Sequence, residues 1–240
     1  MSIEKDYVAN VRNQLGDFPV WPPGDAIVPG DIGALEHGAF KRQASLLEIF
    51  PDLKLDLAQT PHQELTNFRS VGCFSTELKA SGTAPTEGVV NANASITLNF
   101  GEAGGTVFDA VNCTDVFIKN LLQVRTYIDQ HRDKWPEDSI LAARVTMAEK
   151  FIVMISSAAN ASVDISGDAK ALGAWNLANA NVTTSHDRNV GYNRTGNGAL
   201  LIGLYGYHFL GKRIKVLSAT ESGGVESDFE ELPARDPSFD

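Results

Sequence analysis

From Val90 to Phe100 apolar and polar residues alternate: Val90, Ala92, Ala94, Ile96, Leu98 and Phe100 fall on one parity, Asn91, Asn93, Ser95, Thr97 and Asn99 on the other. A period of two predicts a strand with one oily and one wet face. Its length carries a second message. A tilted β-strand needs about 9 to 11 residues to cross a bilayer, whereas an ordinary strand runs to about 5 or 6. Two readings stand at this point: a bilayer-crossing strand, and a long strand of a soluble antiparallel sheet. Ser162 to Ser166 repeats the alternation, with Val163 and Ile165 on the oily parity.

Helical spacing is rarer. Tyr7, Val8, Val11 and Leu15 predict a helix over 6–15 that Gly16 ends, and Ser45 to Ile49 predicts a short one stopped by Pro51. A long amphipathic helix is predicted over 114–134, capped by Thr114 or Asp115, with Phe117, Ile118, Leu121, Leu122, Val124 and Ile128 as its stripe and Pro136 as its stop. The remainder reads as turns and strands: a hairpin closing at Gly38 to Arg42, then strands at Leu53 to Leu57, Val71 to Leu78, Thr106 to Ala110, Ile140 to Ile155, Trp175 to Ser185, Leu200 to Tyr207 and Ile214 to Leu217, with a loop over 58–68. The fold class expected is α+β: a twisted, mainly antiparallel sheet with long amphipathic strands and a few helices.

Composition narrows the function. A chain of 240 residues with 43% hydrophobic content buries a full core, and one large domain is the expectation. No run reaches the roughly 18 to 20 apolar residues of a membrane-spanning helix. The first six residues lack the basic start and apolar stretch of a signal peptide, so a cytoplasmic location is expected, with Cys73 and Cys113 reduced. A net charge of −10 argues against a nucleic-acid partner. That charge is concentrated: Thr220 to Asp240 holds Glu221, Glu226, Asp228, Glu230, Glu231, Asp236 and Asp240 against Arg235 alone, so the tail carries −6 of the −10. Lys212, Arg213 and Lys215 adjoin it and offer electrostatic attraction, screened by salt.

Chemistry is sparse. The glycines at 101, 104 and 105, and at 196, 198, 203 and 206, lack the spacing of a phosphate-cradling loop, and there is no nucleophile elbow. His37, His62, His131, His186 and His208 stand singly, none beside a second ligand at metal-binding spacing. Cys113 reads as a buried small hydrophobe rather than a reactive thiol. His186-Asp187-Arg188 reads as a polar turn, because neighbours on extended backbone face opposite ways. The expectation is a non-enzyme with no catalytic residue, no metal and no cofactor.

The order of elements resembles the pore-forming domain of the gasdermins: a starting helix, a turn-rich unit of short strands, a long amphipathic strand with its return, one long helix ending at Trp135, then two long strands and a last apolar pair. The resemblance runs over most of residues 3–217 and lies in element order and strand character. It implies a gasdermin-like domain over 1–217 with membrane-inserting hairpins at about Val71 to Phe108 and Ile140 to Ser185. The inserting residues implied are Val90, Ala92, Ala94, Ile96, Leu98, Phe100, Val163 and Ile165. The acidic tail, 218–240, takes the place of the short inhibitory segment of compact bacterial members, with Val225, Phe229 and Leu232 as the apolar residues that latch it. No cysteine precedes Cys73, unlike the lipid-modified bacterial members, and the first helix carries only Lys5 and Arg12 as bases.

The function so implied is that of a cell-death or antiviral-defence effector, cytoplasmic while inactive. Proteolysis of the tail activates it to form a homo-oligomer that permeabilises membranes. Its partners are then an activating protease, membrane lipids and copies of itself, with no nucleic acid. Every strand edge inside a bilayer must be paired, which forces a closed β-barrel ring. In the resting state the long helix is expected to cover Ile96, Leu98 and Phe100. The alternative is a soluble, non-enzymatic interaction or scaffold module with a disordered acidic tail, which explains the same alternation without a membrane. Arg144, Glu149 and Lys150 interrupt the second hairpin and would need a wet face, because charges on a lipid face are costly.

Overall fold

A computed structural model describes residues 2–60, 66–69, 73–75, 79–81, 93–136, 139–173, 176–178, 180, 182–203, 207–210 and 213–216. The fold is mixed α+β with mainly antiparallel sheets. The chain begins with α1 (Ile3–Leu15), β1 (Phe18–Pro19), β2 (Asp31–Glu36), β3 (Ala39–Ser45), α2 (Leu46–Ile49) and β4 (Leu57–Gln59). Strands β5 (Thr66–Arg69), β6 (Cys73–Ser75), β7 (Lys79–Ser81), β8 (Asn93–Phe100), β9 (Thr106–Val111) and β10 (Thr114–Ile118) lead to α3 (Leu121–Gln130) and a 3-10 turn at Arg132–Lys134. Then come β11 (Ile140–Leu141), β12 (Arg144–Ser156), β13 (Ala161–Asp168), α4 (Ala169–Gly173), β14 (Thr183–Arg188), β15 (Val190–Gly203), β16 (Tyr207–Leu210) and β17 (Arg213–Val216).

The backbone divides into two compact units, each gathered from separated stretches: Met1–Asn10, His62–Cys113 and Ala148–Gly198 form one, and Val11–Pro61, Thr114–Met147 and Ala199–Asp240 the other. In the second unit, the β2–β3 hairpin turns at His37 and Gly38, both at positive φ, as a tight turn matched to strand twist requires. Asp31, 1% exposed, accepts the Val28 N–H and the Arg42 Nε–H, each at 2.9 Å, and anchors the start of that hairpin. Ser45 caps α2 by accepting the Leu47 N–H. Two apolar clusters of described residues lie in this unit. One joins Phe18, Val20, Ile27, Phe40 and Val145; the other packs Val124 and Ile128 of α3 and Trp135 against Ile32, Leu46, Phe50 and Leu141.

Several sequence expectations are corrected here. Residues 114–118 are not the start of the long helix but strand β10, laddered to β12 on one side and to β4 on the other, and α3 begins only at Leu121. The run Thr-Asp-Val-Phe-Ile is rich in β-branched and aromatic residues, and pairing on both flanks decides its state. The strand expected at Leu53 to Leu57 lies instead at Leu57–Gln59, and part of the expected loop over 58–68 is β5. His186, Asp187 and Arg188 belong to β14; the turn falls one residue later, at Asn189 with φ 58.

In the first unit, β9 lies between β5 and the later part of β12, and all six of its residues are buried. A separate antiparallel sheet runs β14-β13-β8, with β6 and β7 both pairing the far side of β8.

Candidate functional site

The β8–β13 ladder of the first unit is amphipathic along its length. Its register is unbroken from Ala161↔Phe100 to Asp168↔Asn93, so Leu98 faces Val163 and Ile96 faces Ile165. Ala94, Ile96, Leu98, Phe100, Val163 and Ile165 are all buried in one apolar cluster. The opposite parity is polar and partly exposed, with Ser95, Thr97, Asn99, Ser162 and Asp164, and the Thr97 hydroxyl donates to Asp164 Oδ1 across the strands at 2.7 Å. Six of the eight inserting residues expected from the sequence are thus brought together on one face. Val90 and Ala92 lie outside the described residues, as do Val225, Phe229 and Leu232.

The cover of this oily face is not the long helix. Val124 and Ile128 of α3 are committed to the Phe50 and Trp135 cluster, whereas Ile96, Leu98 and Phe100 pack with Ile152 and Met154 of β12, Val107 of β9, Leu172 of α4, and Leu177 and Ala180. Of the extended segment expected from Trp175 to Ser185, Trp175 lies outside the described residues, Leu177, Ala178 and Ala180 form a turn after α4, and only Thr183 to Ser185 is strand, the start of β14. Asp168 starts α4 by accepting the Ala171 N–H at 2.8 Å. Its own N–H donates to the Ala180 carbonyl at 2.9 Å, folding the chain back on the ladder. Gly167 permits that approach, because a Cβ there would stand 2.4 Å from the Ala180 oxygen.

Asp109, 1% exposed on β9, ties down the same turn: its Oδ2 accepts the Ala178 N–H at 2.8 Å. Among the described residues its Oδ1 has no hydrogen-bond partner. Burial pushes the carboxyl up to about 6, offset in part by the backbone N–H groups of Ala178, Leu177 and Ala110. Sequence reasoning passed over Asp109, although a lone acid inside Thr-Val-Phe-Asp-Ala-Val is a signal that a buried carboxylate needs a partner.

The strands β12 and β13 of the second expected hairpin lie in different sheets and do not pair with each other. Strand β12 pairs with β9 and β10, while β13, next in sequence, pairs with β8 and β14. The charges that interrupt β12 are accommodated individually. Arg144 reaches Asp17 at 2.8 Å and Asp115 at 3.6 Å, and Asp115 accepts the Thr146 hydroxyl. The Asp17 carboxyl is raised, first by burial, with Arg144 opposing and Asp115 adding to the shift. Glu149 and Lys150 are exposed, and Glu149 accepts from Asn112 at 2.6 Å.

No helix among the described residues is long and apolar enough to cross a membrane, and no group of three or more potential metal ligands occurs among them. Cys113 is buried. Compared with known protein families and with curated proteins, the chain has no match.

Proposed function

We propose that this protein is a pore-forming defence effector similar to the compact bacterial gasdermins, held inactive by its acidic tail and released by proteolysis to oligomerise in a membrane. The observation that carries the reading is the β8–β13 ladder, a pair of long antiparallel strands with a continuous oily face and a continuous polar face. Such a pair needs only lengthening and a lipid neighbour to become part of a barrel wall, because its side chains already alternate as a lipid face and a lumen face demand.

The oily face is covered in the resting fold by short segments of the β13–β14 connector and by β12, rather than by a long helix. Uncovering it exposes Ile96, Leu98, Phe100, Val163 and Ile165 together. Water disfavours that surface, so a bilayer and neighbouring copies become its alternative partners. Unpaired strand edges are not tolerated in hydrocarbon, so insertion proceeds as a closed ring of copies. The test is electron microscopy of liposomes incubated with the protease-trimmed protein. Rings of uniform diameter support the reading, and trimmed protein that stays off the membrane as a monomer leaves the soluble interaction module in its place.

A further inference from the structure

We infer that the β13–β14 connector is an opening cover and that Asp109 sets its readiness: the carboxylate buried beneath the turn holds it by one N–H yet, when ionised, favours the open arrangement. The geometry comes first. The described part of the connector touches the ladder through Leu172, Leu177 and Ala180, and is fixed by the Asp168 N–H to the Ala180 carbonyl and by the Ala178 N–H to Asp109. Asp109 is 1% exposed, and one of its two oxygens has no partner among the described residues. A carboxylate this deeply buried is disfavoured as an anion where it sits, and lifting the turn away restores it to water.

The charges on the elements packed around β9 are Glu4, Lys5, Asp6 and Arg12 on α1, Arg69 on β5, Arg144, Glu149 and Lys150 on β12, Asp164 and Asp168 on β13, and Lys170 on α4. Asp168 is engaged by the Ala171 N–H, and Glu149, Lys150 and Lys170 are exposed. Among the described side chains none of these charges enters the balance at Asp109, which burial sets against backbone N–H groups. The closed form therefore binds its proton more tightly than the open form. Acid strengthens the cover, and rising pH loosens it through the range from the ordinary carboxylate value of 3.8 to about 6.

This inference concerns the resting protein and stands whether or not the protein forms pores. The experiment is hydrogen exchange on the full chain, followed in peptides covering 169–182 and corrected for the intrinsic rate at each pH. The opening constant of the parent is expected to fall about tenfold from pH 7 to pH 5, as a carboxyl raised to about 6 requires. Asp109→Asn is expected to remove that dependence and to open less than the parent at pH 7. Gly167→Ala, whose Cβ meets the Ala180 carbonyl, is expected to raise exchange in the same peptides. A parent whose opening ignores pH overturns the inference even if Asp109→Asn fails to fold. So does an Asp109→Asn protein that opens more readily at pH 7, for the carboxylate then only holds the cover.

Discussion

Thr97 on β8 donates its hydroxyl to Asp164, directly opposite on β13, on the polar face of a ladder whose other face buries Ile96 against Ile165. A second carboxylate at this position would meet the first at cross-strand distance. Thr97→Asp is expected to lower stability by about 1 kcal/mol, and Asp164→Asn in the same chain to restore most of the loss. Urea denaturation of the two single variants and the double variant measures the coupling.

Leu98 is fully buried and faces Val163. Leu98→Ala leaves a cavity in the ladder cluster and is expected to cost about 2 to 5 kcal/mol. Leu122→Ala, at a side chain 75% exposed, is the contrast and is expected to stay within about 0.5 kcal/mol of the parent. Thermal and urea melts of the full-length protein distinguish them.

Asp31→Ala strips the Val28 N–H and the Arg42 guanidinium of their common acceptor. The expected loss is about 2 to 4 kcal/mol, since a buried acceptor of two donors is removed and the Arg42 end stays partly solvated. Asp31→Asn, which keeps one acceptor oxygen, is expected to lose less. Equal losses in the two melts would mean that the side chain's hydrogen bonding contributes little.

Period-two patterns were the most legible part of this chain. Ala94 to Phe100 and Val163 to Ile165 announced the strands and their oily parity, and burial follows that parity at every described position. Turn chemistry was legible at Gly38, and so was the short helix near Ser45, which begins one residue later, at Leu46. Misreading began where one apolar run suited two elements. Thr114 to Ile118 supplies residues at helical spacing, yet strands on both flanks claim it, and those partners are far away in sequence. The connector after Asp168 failed for a related reason. Leu172, Leu177 and Ala180 carry no strong period of their own, and what holds them on the ladder is packing against β8, β9 and β12, far upstream in sequence. The cover of the oily face was thus hidden in long-range contacts, while the face itself was written in the local pattern.

Removal of residues 218–240 is expected to convert the protein from harmless to toxic or membrane-associated in cells. The motive is the tail's charge of −6 and its spaced apolar residues Val225, Phe229 and Leu232. Cell viability and membrane fractionation of the full chain and of 1–217 at matched expression provide the check. Equal harmlessness of both counts against the tail as a latch.

The most direct measurement is dye release from liposomes by full-length protein before and after limited proteolysis, with loss of the tail confirmed by mass spectrometry. The account predicts no release by the uncut protein and rapid release after trimming. It also predicts that a charge on the oily parity, Ala94→Asp or Ile96→Asp, abolishes release in any variant whose uncut form still melts cooperatively, because an acid facing lipid is disfavoured in every copy of the ring. Ser95→Asp, on the polar parity, is predicted to release dye like the parent. Verified trimming without release, or a folded Ile96→Asp protein that permeabilises as well as the parent, contradicts the account.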